Sequence, residues 1–183
     1  AAGAQLACGS SGCPTSGLEG RQNRAAQFTG GRRLELPNGP INRLTNQFTV
    51  AAWVKPDAVS GRQAIAAHGS MNSSSGWSFM LVDSDLALEA FGGDPYRLSN
   101  ALSGGAQLQA KRWRHVAAVF DAANAVSFYI DGQFKGKLPA TFAPAATGNG
   151  EPFVIGAQRD STGSTRSFGG MIDDVWVYGI ALN

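Results

Sequence analysis

Charge is scarce in this 183-residue chain: Asp, Glu, Lys and Arg together make up 15%, and they nearly cancel to a formal +2. The fifteen basic residues are spread along the sequence, so no basic face is offered to nucleic acid or to an anionic membrane. Long apolar runs are missing as well. None approaches the roughly 20 residues that span a bilayer, and membrane insertion is not expected. Helical patterning is lacking too, because no sustained segment carries an apolar stripe of 3.6-residue period. Histidine and cysteine number two each. His68 and His115 lie far from Cys8 and Cys13, and no further cysteine exists, which argues against zinc. The cysteines, in "ACGSSGCP", are spaced so that they can close a small loop or remain two thiols.

What the chain does have is strand patterning and turns. Its 43% hydrophobic content is that of a globular protein, and no Pro-rich or charged linker divides it, so residues 1–183 read as a single domain. In "FTVAAWV" (48–54), Phe48, Val50, Ala52 and Val54 fall on one face. In "AVSFYIDGQFKGKL" (125–138), Val126, Phe128 and Ile130 alternate with Ser127 and Tyr129 before Asp131-Gly132, a two-residue hairpin turn tolerant of positive φ. Further strand candidates are "AAQFTG", "RRLELP", "QAIAAHG", "WSFMLVD", "LALEAFGG", "RHVAAVFD", "PFVIGAQ" and "MIDDVWVY". Turn clusters such as "GSMNSSSG" and "TGNGEP" separate them, drawing on 24 glycines. Short strands at regular spacing predict an all-β, two-sheet antiparallel sandwich. The opening "AAGAQLACGS" reads as a mature or excised segment of a larger protein.

Four segments, in order, resemble the bacterial laminin G-like (concanavalin A-like) jelly-roll family. They are the leader "CGSSGCPTSGLEGRQNRAAQFTG", then "FTVAAWVKP", "WRHVAAVFDAANAVSFYIDGQ" and "FGGMIDDVWVYGIAL". The resemblance runs from Cys8 to Leu182. It implies a jelly-roll β-sandwich module, non-catalytic, within a larger secreted or surface protein. It also implies a Cys8–Cys13 disulfide, hence an extracytoplasmic setting. Such modules bind glycans or glycoproteins, and many hold a structural calcium ion. Trp53, Trp113 and Trp176 match scaffold positions, and at least two of them are expected in the core.

The adjacent Asp173 and Asp174 need separate treatment. On a regular strand Asp173 shares a face with Val175 and Val177, while Asp174 sides with Ile172, Trp176 and Tyr178. If the valine face is the core, Asp173 needs a partner, because an unpaired buried carboxylate costs several kcal/mol. The family resemblance implies calcium there. Yet Thr29, Arg32 and Arg33 in "FTGGRRLEL" stand where relatives often carry acidic residues, so a guanidinium from Arg32 or Arg33 is a second candidate partner. Backbone N–H groups are a third.

Enzymatic machinery is not visible. The four glutamates, Glu19, Glu35, Glu89 and Glu151, do not form the Glu-x-Asp-x-x-Glu spacing of jelly-roll glucanases, and neighbouring aspartates on a regular strand diverge. No nucleophile elbow or phosphate-binding glycine motif appears. The function the resemblance implies is recognition of a carbohydrate or glycoprotein, the alternative being a spacer or protein-interaction domain without a small ligand. Sugar sites combine aromatic faces with planar hydrogen-bonding groups on loops. Trp77, Asp94, Tyr96, Arg97, Arg159 and Asp160 are the candidates on that ground. The isolated domain is expected to be monomeric, its other contacts being to further domains of the parent chain.

Overall fold

A computed structural model describes residues 6–36, 44, 47–70, 75–90, 96–97, 108–121, 123, 125–139, 152–158 and 166–182. Fourteen strands lie among them. In chain order they are β1 (Ala7–Cys8), β2 (Thr15–Glu19), β3 (Arg24–Phe28), β4 (Leu34–Leu36), β5 (Phe48–Pro56), β6 (Arg62–Ser70) and β7 (Ser75–Val82). There follow β8 (Asp85–Ala90), β9 (Tyr96–Arg97), β10 (Arg114–Phe120), β11 (Ala125–Ile130), β12 (Gln133–Pro139), β13 (Phe153–Ile155) and β14 (Gly170–Tyr178). They form two seven-stranded sheets, ordered β1-β4-β13-β6-β7-β8-β9 and β12-β11-β10-β5-β14-β3-β2, and every strand pairing is antiparallel. No helix of the described residues is long and apolar enough to cross a membrane. The expected two-sheet sandwich is the fold.

The alternation read in the sequence decides which side chains meet between the sheets. Phe48, Val50, Ala52 and Val54 of β5, with Val116, Ala118 and Phe120 of β10 and Val126, Phe128 and Ile130 of β11, form one wall of the core. Ile65, Trp77, Phe79, Leu81, Leu86 and Leu88 form the other. Trp77 stacks on Phe48 at 4.8 Å between centroids, stitching the two sheets together. The β11–β12 hairpin turns on Asp131 and Gly132 with φ of 51° and 74°, as the Asp-Gly pair predicts. Cys8 and Cys13 are joined by a disulfide, and Gly9 N donates to Arg33 O at 3.1 Å, which ties this small loop to the chain leading into β4.

The outer faces of the two sheets differ. On the first, Met80 and Ala87 are fully buried, and the buried Glu89 carboxylate pairs with Arg62 (2.6 Å) and with Arg166. That face is covered. On the second, Tyr129 of β11, His115 of β10, Trp53 of β5 and Trp176 and Tyr178 of β14 keep exposed surface, and the candidate site is there.

Candidate functional site

The same pleat that sends Val50, Ala52 and Val54 inward sends Thr49, Ala51 and Trp53 outward. Antiparallel register then aligns three rows across neighbouring strands. The middle row runs Tyr129, Ala117, Ala51, Trp176. Two alanines make a low floor, and an aromatic ring stands at each side, three strand spacings or about 14 Å apart along the sheet. One end is closed by Trp53 and His115, whose rings meet edge-on at 5.3 Å. The other is closed by Val119, Thr49 and Tyr178. Thr49 Oγ1 donates to Ile180 O (2.9 Å) and accepts from Leu182 N (3.0 Å), holding the C-terminal segment against that end. The resulting trough has a volume of about 540 Å³. Trp176 is 52% exposed and lies 6.2 Å from Tyr178, so it offers a bare indole face.

The aspartate pair borders this trough, and the regular-strand expectation fails there. β14 carries a bulge against β5: Asp173 pairs with Trp53 and Trp176 with Ala51, leaving one extra residue on β14. Asp174 takes up the mismatch with φ of 46°, a left-handed conformation that Asp tolerates better than most residues. The bulge reverses the phase of the strand. Ile172, Val175 and Val177 all pack on the core, and Asp173 does not share the valine face. Asp173 is buried from the other side, under the turn at residues 20–23. Its Oδ2 accepts hydrogen bonds from Arg21 N (2.8 Å) and Gln22 N (3.3 Å). A β-carbon on Gly20 would collide with that carboxylate, so the turn closes this tightly only with glycine at 20. So anchored, the turn places the Arg21 guanidinium 5.0 Å from the Trp53 ring centroid and sets Gln22 into the trough wall.

Of the three candidate partners for Asp173, backbone amides are the one found. Arg33 is instead paired with Glu35 (2.6 Å) and bonded to Ser10, and Arg32 is exposed, so neither arginine replaces a cation. Ca²⁺ takes six to eight oxygen ligands, whereas amide N–H groups, positive at the hydrogen, converge on Oδ2. Among the described residues no three His, Cys, Asp or Glu side chains group as a metal site.

His115 lies at the rim with its own partner set. Its backbone N donates to Asp131 Oδ1 at 3.0 Å, and Asp131 also pairs with Arg114. Burial pushes the imidazole pKa below its ordinary value, against an opposing pull from the Asp131 carboxylate. The ring is therefore neutral at pH 7, able to donate from one nitrogen and accept at the other.

The sequence-derived ligand candidates fare differently. Trp77 is 1% exposed inside the core, packed on Phe48 and Phe153, and cannot meet a ligand. Tyr96 and Arg97 form β9, paired to β8 at the edge of the first sheet. Asp94, Arg159 and Asp160 lie outside the described residues. The expectation for the other tryptophans is also reversed, since none of Trp53, Trp113 and Trp176 is fully buried. Trp53 and Trp176, expected at scaffold positions, line the trough instead. The signal was available: in "FTVAAWV" and "VWVY" they alternate with core residues, and an aromatic out of phase with the core points away from it.

Two sheets enclosing one core, with an aromatic-walled trough on the back of one of them, define a lectin-like jelly roll. A family model for the concanavalin A-like lectin/glucanases superfamily matches residues 28–183, and the chain belongs to that superfamily. Among curated proteins no sequence matches it. Among solved structures it is similar to domain 4 of AbnA, an extracellular GH43 arabinanase from Geobacillus stearothermophilus, in complex with arabinotriose. That match has 24% identity and a TM-score of 0.72, covering 94% of this chain and 78% of that one. It is also similar to the CBM40 of the Ruminococcus gnavus IT-sialidase bound to α2,3 sialyllactose (15% identity, TM-score 0.70, 87% and 91% covered). A third similar structure is the binding domain of Paraclostridial Mosquitocidal Protein 1 (15% identity, TM-score 0.71, 98% and 45% covered). At these identities the likeness is one of fold.

Proposed function

We propose that this domain is a non-catalytic carbohydrate-binding module of a secreted or surface protein, and that the glycan lies in the trough over Ala51 and Ala117. The observation that carries this reading is the trough itself: rings on opposite sides, a floor of methyl groups, and hydrogen-bonding groups from Gln22, His115 and Asp174. Aromatic faces take the C–H faces of sugar rings, while polar groups fixed on a rigid sheet read hydroxyl positions. Glycan-bound relatives of the same fold support it, as does the disulfide for an extracytoplasmic setting. A non-catalytic role is supported by the carboxylates. Hydrolysis of glycosides uses two of them flanking the bond, whereas the described lining of the trough offers Asp174 alone, Asp173 being held by two amides.

A second reading, protein docking, draws on the exposure of Phe134 (58%), Trp176 and Ile180 (52% each) along the same side. A glycan array followed by calorimetry separates the two. Trp176→Ala should weaken glycan binding roughly tenfold or more, the scale of removing one aromatic anchor. An array without a single hit, or hits indifferent to Trp176→Ala, would reject the glycan reading.

A further inference from the structure

The bulge leaves Asp174 in a singular position. It lines the trough, half-buried, and has neither hydrogen bond nor ion pair with any described residue. Its neighbours are committed. Asp173 accepts two backbone amides, Asp131 pairs with Arg114, and the Arg21 guanidinium lies on the Trp53 ring. No Lys or Arg is part of the described trough lining, and Lys55, one row beyond Trp53 on the same face, is outside it. His115 is neutral at pH 7 for the reason given above. The trough thus carries one formal charge from its described residues, and it is negative. Two guanidiniums lie close by but outside that lining, Arg21 over the Trp53 ring and Arg24 on the far side of Asp173 and Asp174.

We propose that Asp174 makes the trough selective for uncharged glycans and excludes anionic ones such as uronic-acid, sialic-acid or sulfated chains. The proposal rests on the glycan reading and deepens it. A sugar hydroxyl donates to a carboxylate, and two neighbouring hydroxyls can use both oxygens, giving charge-assisted hydrogen bonds. A carboxylate or sulfate brought into the same trough meets a like charge, with no cation in the described lining to offset it. Discrimination then comes as much from what is repelled as from what is bound. The backbone conformation serves the same end. The extra residue, in its left-handed conformation, is left out of the ladder with β5 and borders the trough.

The test uses a matched pair, oligogalacturonate and its methyl ester, together with neutral arabino-, xylo- and manno-oligosaccharides and sialyllactose. Each is titrated against the native domain, Asp174→Asn and Trp176→Ala. Asparagine also accepts the left-handed conformation, so Asp174→Asn should keep its melting temperature within a few degrees. The expected result is binding of one or more neutral chains, with the acidic ones weaker by roughly tenfold or more at low salt. Asp174→Asn should narrow that gap, and raising ionic strength should narrow it in the native domain. If the native domain takes acidic chains as tightly as neutral ones, or if Asp174→Asn leaves the preference intact, the inference is overturned. The glycan reading survives either outcome so long as Trp176→Ala weakens binding. If no oligosaccharide binds, the glycan reading itself falls.

Discussion

Two adjacent carboxylates in the same strand have been given unrelated tasks, and the difference is one inserted residue. Asp173 is a structural acceptor. Replacing it with alanine would strand two amides and free the turn that holds Arg21 over Trp53. We expect Asp173→Ala to cost about 2–3 kcal/mol in urea unfolding, the range for leaving buried partners of a charged acceptor unmade. Gly20→Ala should be destabilising for the same reason from the other side, by driving a methyl group into that carboxylate. Because the amides already serve Asp173, adding a chelator should leave the melting temperature unchanged; a drop of many degrees would show that a cation contributes. At His115 the sign runs with burial. Its folded pKa lies below the ordinary 6.5, so the unfolded chain takes up the proton first as pH falls past that value. Stability is unaffected at pH 8, declines on acidification below about 6.5, and stops declining once the folded imidazole is protonated too. His115→Gln should flatten that part of a melting-temperature profile.

At the scale of elements, the strands that build the core were legible because each is long enough for its alternation to show. β5, β10 and β11 carry apolar side chains at every second position, and those residues are the ones found between the sheets. β1, β2 and β9 were not legible. β2 is exposed along its length and reads "TSGLE", while β1 and β9 have two residues each, so no period exists to be read. The bulge in β14 was hidden for another reason. "MIDDVWVY" is compatible with either phase, and what selects the bulged one is the pairing with β5 and the fit of the turn at 20–23 over Asp173, both distant in sequence. Misplacing Trp53 and Trp176 had a related cause: their phase was readable, but whether the outer face is covered depends on the whole chain. The edge strand β1 is joined to β4 over two residue pairs only, and the disulfide takes up much of its tethering. Reduction should cost about 2 kcal/mol on the loop-entropy scale, and amide exchange should rise first around residues 7–13.

Over the whole molecule, the two sheets divide the work. The central strands β6, β7 and β8 of one are buried on both faces, and its outer side holds the Glu89 ion pairs and a second apolar cluster around Met80. The other keeps Trp53, His115, Tyr129, Trp176 and Tyr178 at least partly exposed on its back, and none of them belongs to the core cluster. Stability and binding are therefore separable by mutation: at pH 8, where His115 does not contribute, substitutions on the trough side of β5, β10 and β14 should alter ligand affinity while unfolding in urea keeps the native midpoint, apart from Asp173 and Thr49, which also tether backbone.

The floor of the trough has a consequence for how such a protein acquires or loses a ligand. Ala51 and Ala117 are side by side, each 8% exposed, and neither belongs to the apolar cluster between the sheets. Leucine at either place would act as a stopper, lifting the base of the channel to the height of its sides. We expect Ala51→Leu and Ala117→Leu domains to fold and melt normally yet bind nothing in the trough, so that a pair of methyl groups is the dial by which this scaffold passes between receptor and inert spacer.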